Sequence, residues 1–201
     1  HLDNSACNLS SLNLMKFQDT DGKLDVDGFR HAVDIMPTAQ DILVDNSSYP
    51  TDHIGDNARA YRELGLGYAN LGALLMALGL PYDIDDGRSV AAAISSLMTG
   101  SAHRPSPRPA DRMVPFACYA ANREPMLRVL EQHREAAELL DESVAPVLDD
   151  AGREAWLEAC ALAQRIGVRN SQATLLAPTG TPLLLMDRDT TRIEPDLSPV
   201  K

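Results

Sequence analysis

The 201-residue chain is poor in positive charge and in thiols. Its 18 lysines and arginines face 29 aspartates and glutamates, giving a formal charge of −11. That balance argues against broad contact with nucleic-acid backbones or anionic membrane surfaces. It does not argue against a small phosphorylated ligand held by backbone donors. There are three cysteines, Cys7, Cys118 and Cys160, and none forms a Cys-x-x-Cys pair. A sparse, odd set points to a reducing compartment, so a cytoplasmic location is expected. No signal peptide is recognisable and no apolar run is long enough to span a bilayer, so no membrane partner is expected. Asn8-Leu9-Ser10 and Asn46-Ser47-Ser48 match the glycosylation pattern, which without a secretory signal is chance. No internal repeat is visible. The chain begins at His1 rather than methionine, and a fragment of something longer is expected.

Two familiar motifs also fail. Asp19-Thr20-Asp21-Gly22-Lys23-Leu24-Asp25-Val26-Asp27 invites a calcium reading. With Gly22 as the loop glycine, Phe17 takes the first ligand position and Gly28 the last, so the bidentate carboxylate is missing. A solvated turn is expected there, with no metal. Gly65, Gly67 and Gly72 are not a dinucleotide fingerprint, because the third glycine comes two residues late. Close backbone packing is their expected role.

What remains is an ordinary globular balance, 44% hydrophobic and 23% charged, with enough length for one sizeable core. Leu9, Leu12 and Leu14, mixed with small polar residues, read as a short strand or turn with Cys7 at its start. Residues 27–44 carry Phe29, Ala32, Val33, Met36, Ala39, Ile42 and Leu43 at helical spacing, with Pro37 as an internal kink and His31 on the solvated side. Residues 69–78 read as a small-residue helix stopped by Gly79. Val90, Ile94, Leu97 and Met98 mark another helix. Residues 101–115 hold Pro105, Pro107, Pro109 and Pro115 and form the best linker candidate, flexible and with solvated basic residues such as Arg104. Asn122 is placed to cap a helix over 123–140, with Met126, Val129, Leu130, His133 and Ala136 on one side. Asp149 or Asp150 starts a last helix, with Trp156, Cys160, Ala163 and Gly167 on one side.

The apolar run 173–177 then stops abruptly at Pro178, Thr179, Gly180, Thr181 and Pro182. A short apolar run bounded by turn residues reads as a buried strand, here over 168–177. Gly180 lets the backbone approach an anion, and its N–H can join the Thr179 and Thr181 hydroxyls around a phosphate. Taken alone, the bend reads more simply as an ordinary strand-to-turn junction.

Three groups of segments in order change that balance. Ser5-Ala6-Cys7-Asn8-Leu9-Ser10-Ser11-Leu12-Asn13-Leu14 lies at one end. Arg62-Glu63-Leu64-Gly65-Leu66-Gly67 and Leu78-Gly79-Leu80-Pro81-Tyr82-Asp83 lie in the middle. Arg169-Asn170-Ser171-Gln172-Ala173-Thr174-Leu175-Leu176-Ala177-Pro178-Thr179-Gly180-Thr181, Asp189-Thr190-Thr191 and Ile193-Glu194-Pro195-Asp196 lie at the other. The series resembles the catalytic chain of adenosylcobalamin-dependent (class II) ribonucleotide reductase across nearly the whole chain.

The resemblance implies a helix-rich α/β fold, residues 1–201 being part of the second half of a ten-stranded α/β barrel. It implies that Cys7 is one of two cysteines that reduce the ribose 2′ position and become a disulfide. It implies that Pro178, Thr179, Gly180, Thr181 and Pro182 hold the substrate phosphates. Asn170 and Gln172 match strand positions with no chemistry assigned. The implied cofactor is adenosylcobalamin, whose contacts match no residue here. The implied partners are a ribonucleotide substrate and a thioredoxin-like reductant, and a homodimer is compatible. The radical cysteine with its glutamate and asparagine, and the partner of Cys7, are expected upstream, so the isolated chain is expected to be inactive. Pro182 stands where isoleucine is usual, Arg188 where a small residue is, and Arg192 where a glycine is. The nearest alternatives are the large chain of a diiron (class I) reductase and a non-catalytic phosphate-binding α/β remnant.

Overall fold

In the computed structural model the described residues are 2–104, 114–177, 190 and 192–195. Strand β1, Asn8–Asn13, pairs in parallel with β2, Leu64–Ala69, in the register Asn8↔Leu64 to Asn13↔Ala69. Parallel strands need a long crossover. Helices α1, Val26–Asn46, and α2, Asp52–Tyr61, supply it. Then follow α3 (Leu71–Ala77), α4 (Asp85–His103), α5 (Tyr119–Ala137) and α6 (Pro146–Ile166). This is a helix-rich α/β architecture with a two-stranded parallel sheet among the described residues.

Every residue of β2 is buried, as a parallel strand covered on both faces requires. That strand was not foreseen, because residues 64–69 are half glycine and alanine and carry no β-branched residue. Leu64, Leu66 and Tyr68 are fully buried; Leu66 and Tyr68 join Leu12, Leu14, Phe29 and Val33 in the main core, which continues into α4 through Ile94 and Leu97. A second cluster gathers Phe116, Tyr119, Leu130, Trp156, Cys160 and Val168. Gly100 and Gly152 let α4 and α6 close up: a Cβ on Gly100 would lie 3.2 Å from Ala155 Cβ, and one on Gly152 3.2 Å from Ser96 Oγ.

Several expected boundaries move. The first helix matches expectation in extent and runs through Pro37, but Ile42 and Leu43 are exposed; Gln40 and Asp41 are buried in their stead. Helix α3 begins only at Leu71, and Gly79 follows it with φ +72° as the expected stop. Helix α4 reaches His103, into the segment read as a linker, and residues 105–113 lie outside the described residues. Arg104 is no solvated loop charge: it bonds Asp34 at 2.8 Å and Glu158 at 2.6 Å, tying α4 to α1 and α6. Helix α5 starts three residues before the expected Asn122 cap, whose side chain instead donates to Cys118 O at 2.8 Å. Its buried side is Leu130 and Ala137, with Val129, His133 and Ala136 exposed. Helix α6 starts at Pro146, whose fixed φ and missing N–H suit a first turn.

The acidic stretch 19–27 is a turn and a cap. Asp19 Oδ1 accepts from the N–H groups of Asp21 and Lys23, and Asp25 caps α1 through Gly28 N–H. Among the described residues no group of side chains could hold a metal ion, and no helix is long and apolar enough to cross a membrane.

Candidate functional site

Cys7 sits one residue before β1, half-buried. By the strand alternation it shares a face with Leu9 and Ser11, opposite the helix-covered face of Leu12. The floor of that face is glycine. A Cβ on Gly65 would meet Leu9 Cδ2 at 2.5 Å, Leu175 Cβ at 3.4 Å and Cys7 Sγ at 3.5 Å. A Cβ on Gly67 would lie 2.6 Å from Leu175 O. The glycines are there because a thiol and a second backbone come against β2, which agrees with the close-packing role expected of them.

That second backbone is the run leading to the bend. Leu64 N–H donates to Gln172 O at 2.8 Å, Leu66 N–H to Ala173 O at 3.0 Å, and Leu175 N–H to Leu66 O at 2.8 Å. The expected strand over 168–177 is thereby corrected to one parallel bridge, Leu66↔Thr174. Residues 168–171 do not extend along β2, because Arg169 and Asn170 turn their side chains toward α1. Pro178, Thr179, Gly180, Thr181 and Pro182 lie outside the described residues, as does Arg188. Past them, Thr190 N–H donates to Asn70 Oδ1 at 2.9 Å, and Asn70 Nδ2 donates to Asn13 Oδ1 at 2.9 Å. The Arg192 guanidinium hydrogen-bonds Leu176 O. Thr190 is thereby tied to the C-terminal ends of β1 and β2 through Asn70 and Asn13. In parallel α/β sheets that is the edge where ligands bind.

The thiol itself has a defined setting. Burial, and after it the Glu63 carboxylate, push the Cys7 thiol above its ordinary range, so it holds its proton at neutral pH. Glu63 is 4% exposed and accepts from Leu2 N–H at 3.0 Å and Ser5 Oγ–H at 2.6 Å, fixing the segment that carries Cys7. All three thiols are unpaired. Cys160 is buried in α6 and Cys118 precedes α5, both in the second cluster, in the helical or core surroundings expected of them.

A polar knot stands behind the run to the bend. Asp41 accepts from Arg62 Nε at 2.7 Å, Asn170 Nδ2 at 2.8 Å and Arg169 Nε at 3.2 Å. Asp45 accepts from both terminal nitrogens of Arg62, at 2.8 and 2.9 Å. The hydrogen bond from Arg62 holds the Asp45 carboxyl below its usual range. Burial works against the Arg62 charge, but Asp45 and Asp41 outweigh it and raise its pKa. None of this was foreseen. The available signal was Asp41 and Asp45 one turn apart on α1, a like-charge pair that is unfavourable unless a cation bridges it.

The chain matches the family model described as "Ribonucleotide reductase, barrel domain" over residues 1–201. It belongs to that family. Among curated relatives it is 49% identical to a vitamin B12-dependent ribonucleotide reductase of Streptomyces coelicolor, over all of this chain and 21% of that protein. It is 46% identical to one of Rhodopirellula baltica and 42% identical to one of Agrobacterium fabrum, again over all of this chain and 19% and 17% of theirs. The chain thus spans about a fifth of the length of these relatives.

Proposed function

We propose that this chain is part of the catalytic barrel of a vitamin B12-dependent ribonucleotide reductase, which converts ribonucleotides, as diphosphates, to deoxyribonucleotides. On this reading residues 1–201 form one portion of a ten-stranded barrel, with β1, β2 and the run 172–175 as successive parallel neighbours. The observation that carries it is the meeting of Cys7 Sγ and Leu175 against the same bare Gly65. Pro178 follows Leu175 by three residues, which caps the chain between them at about 10 Å. That short span supports a substrate site shared by the thiol and the bend.

The roles follow from chemistry. Cys7 supplies one of two thiols; its partner lies outside this chain. Together they replace the ribose 2′ C–OH by C–H: two thiols become one disulfide, and the hydroxyl leaves as water. Two electrons move, and the disulfide is regenerated by exchange with a dithiol donor of thioredoxin type. A thiol kept protonated suits this role, since a proton must accompany the leaving hydroxyl. The hydroxyls of Thr179 and Thr181 and the Gly180 N–H hold the substrate phosphates, with Pro178 and Pro182 framing the bend. Adenosylcobalamin is the radical source of the full-length enzyme.

The test is made on the full-length protein with adenosylcobalamin, a ribonucleoside diphosphate and a dithiol. Deoxynucleotide forms, and Thr179→Ala with Thr181→Ala raises KM by about tenfold or more, as for lost charge-assisted bonds to phosphate. No product, or an unchanged KM in the double variant, contradicts the reading.

A further inference from the structure

The β1–β2 ladder opens at Asn8↔Leu64 and pairs Leu9 with Gly65 and Ser11 with Gly67. One step before its first pair stand Cys7 and Glu63. By strand alternation both belong to the glycine-floored face. The sulfur leans over that floor, since a Cβ on Gly65 would lie 3.5 Å from Cys7 Sγ. Glu63 is thus the one side chain that the head of β2 puts on this face before Gly65 and Gly67 leave it bare.

A carboxylate only 4% exposed is costly to desolvate unless its oxygens find donors. Both oxygens of Glu63 find them in the segment ahead of Cys7. Oε1 accepts from Leu2 N–H at 3.0 Å and Oε2 from Ser5 Oγ–H at 2.6 Å. Two donors three residues apart meet one carboxylate because the chain turns between them, Asn4 holding a left-handed backbone at φ 52°. Asn57, on α2, supports the same turn by donating to Asn4 O at 3.0 Å. Of the ionic groups that act on the sulfur, Glu63 adds to what burial does and pushes the thiol up, and the amino terminus of the chain opposes it.

We propose that Glu63 is a positioning residue for Cys7: its carboxylate clamps residues 2–5 to the head of β2 and keeps a negative charge beside the sulfur. This rests on the reading of Cys7 as a reducing thiol. The clamp holds the sulfur over the bare floor, where that reading needs it. The charge disfavours a second negative charge on the sulfur, so the thiol keeps the proton that must accompany the leaving ribose hydroxyl.

The experiment follows alkylation of Cys7 by iodoacetamide against pH, read by peptide mass spectrometry. It uses the reduced full-length protein and its Glu63→Gln, Ser5→Ala and Glu154→Gln variants. Glu63→Gln keeps the size of the side chain and removes its charge. Its rate reaches half the plateau at a lower pH, and at pH 8 it is about twofold or more faster. Loosening of the segment alone would raise the plateau and leave that midpoint in place. Ser5→Ala removes one donor and keeps the charge, so the plateau rises about twofold or more and the midpoint does not fall. Glu154, exposed on α6 and paired with Arg30, controls for the loss of a negative charge elsewhere, and its variant matches the unsubstituted protein. Multiple turnover of Glu63→Gln falls off at a lower pH, in the same sense as its alkylation midpoint. An unmoved midpoint in Glu63→Gln, an equal movement in Glu154→Gln, or an unchanged pH profile of turnover overturns the proposal. If Glu63→Gln does not fold, Ser5→Ala decides, and an unchanged plateau there overturns it. A Cys7→Ser protein that cycles normally removes the reducing role instead and leaves the alkylation result standing.

Discussion

Cys7 and Cys160 are both thiols raised by burial, yet the structure separates them. Cys7 lies at a strand start on a glycine-floored face, and Cys160 inside a helix core. Burial, and after it the Glu131 carboxylate, push the Cys160 thiol up to about 11. The folded form keeps its proton above the pH at which the unfolded form releases it. The stability this provides is present below pH 9.0 and is lost as pH rises toward about 11. Because thiolate is the reactive species, Cys160 in the full-length protein should alkylate about a hundredfold more slowly at pH 8 than an unperturbed thiol. Its rate should climb with pH until about 11. Peptide mass spectrometry after timed iodoacetamide treatment reads this directly; labelling of Cys160 as fast as a denatured control contradicts it. The Cys160 environment was legible, because Trp156, Cys160 and Ala163 repeat at helical spacing. The Asp41 junction was not, since no local pattern shows that a helix carboxylate will meet an asparagine 129 positions later in sequence.

At the scale of elements, helices were easier to read than strands, for a physical reason. Helix α1 and helix α4 show their buried residues at a period of 3.6, and Gly79 ends α3 with the positive φ that a helix stop needs. Strand β2 shows almost nothing, because Gly65, Gly67 and Ala69 occupy the face where other chain segments press in. Its sequence records close approach rather than strand propensity. The run 168–177 misled in the opposite sense: its apolar residues imply a strand, but Arg169 and Asn170 divert its first half to α1. These packing constraints are testable through the two glycines. Gly67→Ala places a methyl 2.6 Å from a backbone oxygen, which cannot swing aside, whereas the closest atom to Gly65→Ala is the end of the exposed Leu9 side chain. Gly67→Ala should therefore cost about 1–3 kcal/mol and Gly65→Ala less. Thermal denaturation of the two full-length variants checks the order; equal midpoints, or a lower one for Gly65→Ala, contradict it.

Over the molecule as a whole, a small parallel sheet carries helices on the Leu64, Leu66 and Tyr68 face and brings Cys7 and the run to the bend together on the other. On the proposed reading that second face is the barrel interior. Sequence resemblance carried the family, which the barrel-domain match over residues 1–201 shows. The nearness of Cys7 to Leu175 was a three-dimensional fact that only the β1–β2 register could reveal. The most direct test of the account is the turnover of the full-length protein carrying Cys7→Ser, with adenosylcobalamin, a ribonucleoside diphosphate and excess dithiol. The account predicts that multiple turnover is abolished, because the pair of thiols that supplies the two electrons, and is regenerated from its disulfide, is broken. A Cys7→Ser protein that cycles at the normal rate would contradict it.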